Sequence, residues 1–507
     1  MSNDRAFAPH VPEPAAPSAA SEGARVGRNT AFRAAAQAVS AVVNVAGMVL
    51  LGNHLSASGY GEYAFYYALI PLVASLCDLG AGVIVTREMA RGPAAAARQL
   101  GDGVLLRAIV GAVLLVAGAA MGFALPPREQ LLVVLVVLAA VLDFSQDAAV
   151  WAFRAHERLD LESVLLLVSQ FAWLAGIALG VQWDAPLYVL LGSAAMAFLL
   201  RTVVGMMMLV RLRMSPRFEW DRSRLAALVA EGWPVGLSLL LVVVYGRVGV
   251  FALKALSSPA DVACFNVAYL LSQPFGFVAS ALSMAAFPAF ARRRGFERSG
   301  LAGPLRAALK VQLLAAVPIA AGLALLAGRI VPLLFHDGGY DRAAAALSVT
   351  ALALPFVFLN LNARYLLAAL GRQRAYLAAV CVGLAVNVAG CALSVRAFGA
   401  LGAAWTFVAA EVLVFAVCQR ALAAELPAAA LAAEAWRPLA AAALMALAVF
   451  EVRGAGMWVQ AFSGVATYVA ALIVTRALSR EEWTVLRGVA ATFKPGASRP
   501  AEGVERA

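Results

Sequence analysis

The chain has 507 residues, 63% of them hydrophobic and only 14% charged, with a mean hydropathy of +0.83. An ordinary soluble domain is about 45–50% apolar and about 25% charged, so this composition excludes a soluble enzyme, a disordered chain and a nucleic-acid binder. The net charge of +11 and pI of about 9.8 do not reverse that reading, because the basic residues sit in short loops between apolar runs, the pattern of a polytopic membrane protein.

Residues 1–28 are rich in Pro, Ala, Ser and charge and lack the apolar run of a signal peptide, which predicts a disordered cytoplasmic tail. Fourteen runs long enough to span a bilayer follow, at about 30–52, 62–86, 103–123, 131–151, 163–182, 186–210, 232–255, 262–290, 308–328, 343–370, 375–397, 400–420, 437–451 and 457–478. The eighth contains Pro274 and Pro288, and the thirteenth is short. The predicted architecture is all-α: a six-helix bundle over 29–211, a cytoplasmic linker over 212–231, a second six-helix bundle over 232–421, two extra helices over 436–478 and a cytoplasmic tail over 479–507. Leu225, Leu228 and Val229 stand among charges in the linker, which predicts a short interfacial helix. Pro186, Pro234, Pro274, Pro318 and Pro355 are expected to kink their helices.

With the N-terminus in the cytoplasm, about 31 basic residues fall on the inner side and 6 on the outer, leaving Arg201, Arg247 and Arg364 inside helices. That asymmetry favours this orientation and supports the helix count, since an error of one helix would erase it downstream. The outer loops are short, so no extramembranous catalytic domain is expected. Cys77, Cys264, Cys381, Cys391 and Cys418 all lie in apolar runs without a CxxC pair, and His10, His54, His156 and His336 are scattered. Neither pattern gives a metal site. LSASGYGEYAFYYAL from Leu55 aligns with SSPADVACFNVAYLL from Ser257 at an offset of about 202 residues, with Tyr63 opposite Phe265. Two equivalent bundles, related by an axis along the membrane normal, follow from this repeat.

GYGEYAFYYALIPLVASLCDLGAGVIVTREMAR from Gly59, FPAFARRR from Phe287, VPLLFHDGGYDRAAAALSVTALALP from Val331 and the run from Leu366 with Asn387, FGALGAAW and Glu411 occur in order across about 28–421. Together they resemble the polysaccharide transporter, or lipid-linked oligosaccharide flippase, family, in the superfamily that also holds the multidrug and toxin extrusion transporters. One departure is Gly249 in YGRVGVF, where many family members carry an acid. The resemblance implies two bundles around a cavity that opens alternately to each side. Its substrate would be an undecaprenyl-diphosphate-linked oligosaccharide, moved from the inner to the outer leaflet of a bacterial inner membrane and driven by an ion gradient. Polymerase and glycosyltransferases of the same pathway would be its partners.

Such a substrate is anionic and bulky, so polar residues within helices are the candidates, each charge at mid-membrane costing about 2.5–3.5 kcal/mol. Arg247, Arg364 and Arg201 can pair bidentately with phosphate or, alternatively, balance a buried acid or snorkel. Asn360 shares a helix face with Arg364. Asn29, Arg33, Gln37, Ser40 and Asn44 form one polar face of the first helix, which either lines the cavity or hydrogen-bonds neighbouring helices. Asn266, Tyr269 and Gln273 repeat the pattern in the eighth, and Gly383, Asn387, Cys391 and Ser394 form a close-packing stripe in the eleventh. Asp78 and Glu411 are candidates for ion coupling or for balancing an arginine. Asp143 and Asp147 are expected to serve the nearby Arg154 and His156. No GxxxxGK[ST] loop and no assembled nucleophile site occurs, so no cofactor and no enzymatic chemistry are expected.

Three rivals remain. A cation-coupled drug exporter of the superfamily would want a more acidic cavity and fewer helices. A lipid II flippase would share the architecture. A polysaccharide polymerase or ligase would want a large outer loop.

Overall fold

The computed structural model describes residues 19–92, 95–145, 147–292, 302–336, 338–475 and 477; side chains are described outside 19–31, 144–145, 284–292, 302, 304 and 428. The first eighteen residues of the expected N-terminal tail, the basic residues 293–300 and the expected C-terminal tail lie outside these.

The described chain is helical throughout: α1 (Ala19–His54), α2 (Ala57–Asp78), α3 (Ala81–Arg91), α4 (Ala96–Gly122), α5 (Pro127–Ser145), α6 (Asp147–Ala155), α7 (Leu159–Gln182), α8 (Leu187–Arg211), α9 (Arg222–Tyr245), α10 (Val248–Leu256), α11 (Pro259–Ser272), α12 (Pro274–Arg292), α13 (Ala302–Leu334), α14 (Asp341–Ala351), α15 (Leu354–Ala369), α16 (Gln373–Ala421), α17 (Ala428–Glu451) and α18 (Met457–Val474). Among the described residues eleven helices are long and apolar enough to cross a bilayer, and the bent pairs α2–α3 and α14–α15 bring the number to thirteen. The 49-residue α16 loses helical geometry at Gly399 (φ 54°, ψ −131°). At 1.5 Å per residue it is more than twice the ~30 Å hydrocarbon thickness, so it crosses twice and makes the fourteenth span.

The internal repeat is visible in the caps. Ser56 and Ser258, 202 residues apart, each accept a backbone N–H at a helix start, from Gly59 and Asp261. The two helices they open, α2 and α11, pack directly against each other. Gly61 lies so close to the Pro259 carbonyl that any side chain would collide with it. This end of the molecule is sealed further along. Tyr340 donates to the Gly52 carbonyl (3.0 Å), and Asn53 bonds both the Leu334 carbonyl (2.7 Å) and the His336 amide (2.9 Å). We call it the far end, and the arginine-rich end opposite it the basic end.

Several expected boundaries move. α1 begins at Ala19, ten residues before the expected start. No separate interfacial helix forms in the linker: residues 222–231 are the first turns of α9, capped by Asp221. α9 itself belongs to both bundles. Its first half lies on α2–α4, with Leu225 beside Ala81 and Leu106 and with Gly232 and Gly236 against the backbone of Leu79–Gly80. Its last residue, Tyr245, bonds α16. Of the five prolines, Pro234 and Pro318 lie inside helices, whereas Pro186, Pro274 and Pro355 start them, where the missing N–H costs nothing. The sharp bends occur instead at Leu79–Gly80 (52°), both with positive φ, and at Leu352–Ala353 between α14 and α15 (45°), while α9 gives way to α10 at Gly246–Arg247. α17 and α18 pack on α13 as an addition to the second bundle.

Candidate functional site

Between the bundles, at the level of the α9–α10 break, lies a cavity of about 250 Å³. Arg247 lines it from the second bundle. It occupies the N-cap of α10, nine residues from that helix's end, or roughly 14 Å and about half the hydrocarbon thickness. The break matters because Arg247 leaves helical packing there and turns into the cavity. Its guanidinium stands 6.0 Å from the Tyr269 ring, at the limit of a cation–π contact. No carboxylate of the described residues lies within ion-pair distance of it. Asp143 and Asn44 line the opposite wall, with Tyr60, Tyr63, Tyr67 and Trp173 between.

The other expected binding residues divide. Asn44 reaches the cavity and bonds no described residue. Gln37 is half-buried two turns below it on the same helical face. Arg33 is held by Glu162 (3.3 Å), which also accepts Arg154 (2.7 Å). Arg201 is half-buried one turn beyond the cavity-lining Phe198, in the field of Asp143, Asp147 and Glu162, and its Nε has no hydrogen-bond partner among the described residues. Arg364 is exposed on α15 and does not line the cavity, and Asn360 beside it is buried. The Asn360 amide is spent on Glu411, at 2.8 Å to Oε2 and 3.0 Å to the backbone carbonyl. The side chain of Asn29 is not among those described.

The acids differ as sharply. Asp78 does not stand alone: it is ion-paired with Arg107, a buried arginine that also holds Asp147 (3.2 Å) and stacks 3.7 Å above Trp151. Asp147 therefore serves Arg107 rather than Arg154. Glu411 is buried in α16, accepting the Tyr245 hydroxyl (2.7 Å) and the Asn360 amide. No described cation pairs with it. Asn387 completes this cluster by donating to the Tyr245 carbonyl (3.3 Å). A Cβ at Gly249 would sit 2.5 Å from the Phe265 ring, so the acid missing there has no room in this arrangement.

The tyrosine wall and Arg107 escape sequence reasoning. Tyr60, Tyr63 and Tyr67 have helical spacing, but Phe65 and Tyr66 between them blur the face. Arg107 stands near the start of an apolar run and reads as a helix-end charge.

Among the described residues no group of three or more His, Cys, Asp or Glu is placed to hold a metal. All five cysteines are free, four of them buried.

The model of the family described as "Polysaccharide biosynthesis protein" matches residues 26–293, more than half of the chain. The chain belongs to the polysaccharide biosynthesis protein family. A second model, MatE, matches residues 234–393 of this family member. Among solved structures the fold is similar to that of the lipid II flippase MurJ in an inward closed conformation, with a TM-score of 0.70, 12% identity and coverage of 88% of this chain and 98% of that one. It is also similar to an inward-facing multidrug resistance MATE family transporter of the MOP superfamily (TM-score 0.60, 14% identity, 76% and 95% covered). A third likeness is the Vibrio cholerae MATE transporter VcmN in the bent form (TM-score 0.51, 16% identity, 82% and 97% covered). A search of curated protein sequences finds no significant match. This polysaccharide biosynthesis family member is thus a multi-pass membrane protein with the fold of those flippase and transporter structures.

Proposed function

We propose that the protein flips an undecaprenyl-diphosphate-linked oligosaccharide across a bacterial inner membrane by alternating access, supplying O-antigen, capsule or exopolysaccharide assembly. One observation carries this reading: a mid-membrane arginine, Arg247, faces an interbundle cavity without a carboxylate partner among the described residues. An arginine at that depth is expensive, and a diphosphate entering the cavity supplies the bidentate acceptor it lacks. Arg201, one turn outside the cavity wall, is a second contact for the same anion. Asn44 contacts sugar, and Gln37 and the Glu162-held Arg33 continue that polar face toward the basic end. Arg364, exposed on α15, is an entry contact near the basic end rather than part of the cavity.

The basic end faces the cytoplasm in this reading, with both termini inside. The tight far end then makes this the arrangement closed to the outer side. Glu411 is the coupling acid, because Tyr245 and Asn360 can hold it in either protonation state without a counter-ion. Asp78 is assigned instead to holding Arg107.

The test is a deletion in the native host, complemented with wild type, Arg247→Ala and Arg364→Ala. Accumulation of the lipid-linked oligosaccharide with loss of surface glycan, rescued by wild type but not by Arg247→Ala at equal membrane abundance, is the expected result. Unchanged glycan with raised sensitivity to cationic compounds would replace this reading with drug export.

A further inference from the structure

The cavity wall opposite Arg247 has a chemistry that the diphosphate does not use. Tyr60, Tyr63 and Tyr67 recur at spacings of three and four on one face of α2. Their rings run as a ladder: Tyr60 and Tyr63 are stacked at 6.5 Å, Tyr63 and Tyr67 at 5.7 Å, and Trp173 closes the series 6.1 Å from Tyr67. Tyr60 and Tyr63 are 2% and 3% exposed. Each receives a hydrogen bond rather than giving one: Asn266 donates to the Tyr60 oxygen (3.0 Å) and the Trp173 indole N–H to the Tyr63 oxygen (3.2 Å). Their own O–H groups have no acceptor among the described residues. The Tyr67 phenol makes no hydrogen bond to them at all.

Buried phenols ordinarily find a partner. Here three hydroxyls lacking an acceptor line one void together with the Asn44 amide. A hydrocarbon tail offers them nothing, and an ammonium-bearing drug offers donors where acceptors are needed. A sugar ring offers acceptor oxygens, hydroxyl donors for the free amide oxygens, and a C–H face that lies flat on aromatic rings. Position agrees with chemistry. Tyr67 is the rung within electrostatic reach of Arg247 and Asp143, and the ladder then rises seven residues, about 10 Å, to Tyr60 at the start of α2.

We propose that this ladder is the subsite for the sugar attached directly to the diphosphate, with that sugar on the far-end side of Arg247. The proposal rests on the lipid-linked glycan reading above. It also states an order along the cavity: lipid toward the basic end, diphosphate at Arg247, first sugar over Tyr67 and Tyr63.

Purified full-length protein in detergent is titrated with two probes, geranylgeranyl diphosphate and the same lipid carrying one hexose on its terminal phosphate, following calorimetric heat and the change in tryptophan emission. Wild type should bind the glycosylated lipid about thirtyfold more tightly, the worth of two hydrogen bonds. Tyr67→Phe removes one hydroxyl that bonds no described residue, so it should keep the fold and cut the preference about fivefold. Tyr67→Leu should abolish the preference while leaving affinity for the sugar-free lipid unchanged. A preference that survives Tyr67→Leu, or its absence from wild type, overturns the sugar subsite. In either case, Arg247-dependent binding of the sugar-free lipid would leave the flippase reading standing. Failure of wild type to bind either probe would remove both.

Discussion

Arg247 and Arg107 show how differently two arginines in one membrane protein are spent. Arg107 is enclosed by Asp78, Asp147 and the Trp151 ring, so its charge is neutralised inside the first bundle. Removing Arg107 leaves Asp78 and Asp147 without their counter-ion, and because both carboxylates are partly exposed the cost lies below the ~3–5 kcal/mol of a fully buried pair. Arg107→Met should therefore lower the thermal unfolding temperature in detergent markedly, and adding Asp78→Asn should recover part of the loss. Arg247→Met should do the opposite, leaving stability unchanged or raised while abolishing transport, because it deletes a mid-membrane charge that no described carboxylate supports. Glu411→Gln keeps the hydrogen-bonding shape of the Tyr245–Asn360 cluster but cannot exchange a proton. Reconstituted protein should then still equilibrate substrate yet lose acceleration by an imposed pH gradient. An unaltered response to the gradient would remove Glu411 from coupling.

At the scale of elements, the bundles meet where glycine lets backbones touch. Gly61 against Pro259 closes the far end, and Gly80 (φ +74°) against Gly232 and Gly236 pins α9 to the break in the second span. Gly61→Ala should prise α2 from α11. A cysteine at Ala64, on the cavity wall, placed in a Cys381→Ser background, should then react faster with an impermeant thiol reagent added from the far side. An unchanged rate would mean that this crossing does not gate the cavity. The start of α9 is tied to the first bundle by Arg87–Glu231 (2.5 Å), Arg224–Asp102 (3.0 Å) and the Arg217 amide on the Ala97 carbonyl (2.7 Å). Asp221 caps it. Hydrogen bonds from the Ser223 hydroxyl and the Arg224 amide hold the Asp221 carboxyl below its ordinary value. A folded value below the unfolded one gives a contribution complete above the ordinary carboxylate pKa of about 3.9 and lost as pH falls through the depressed value. Hydrogen exchange at the first turn of α9 should quicken only at such acid pH, and Asp221→Asn should remove that dependence.

At the scale of the whole molecule, the arginine distribution is a statement about orientation. Single cysteines replacing Arg158 or Arg372 should be labelled only from the cytoplasmic side, and one replacing Trp183 only from outside; the reverse pattern would invert the transport direction proposed here. The span count was legible because apolar runs of the right length are a local property, and α16, two spans merged through Gly399, was divided correctly at FGALGAAW. The repeat was legible for the same reason, through Ser56 and Ser258. The partition of α9 between the two bundles was not, since nothing in its own sequence says which neighbour each half touches. Nor was the distinction between Asp78 and Glu411: both are lone acids in apolar runs, and of the two only Asp78 has a described arginine across the bundle.

Composition, hydrophobic run length and charge asymmetry thus determined the class of protein and its all-helical build, and the ordered motifs between Gly59 and Glu411 carried the family resemblance, because each is written along the chain at the scale of one helix. Tertiary structure alone decided which polar groups cancel one another. Arg107 and Asp78 lie 29 residues apart, Asn360 and Glu411 51 apart, and pairing over such distances depends on which helix faces meet. Arg247, without a carboxylate partner, and the tyrosine hydroxyls, without an acceptor among the described residues, meet in one cavity for the same reason.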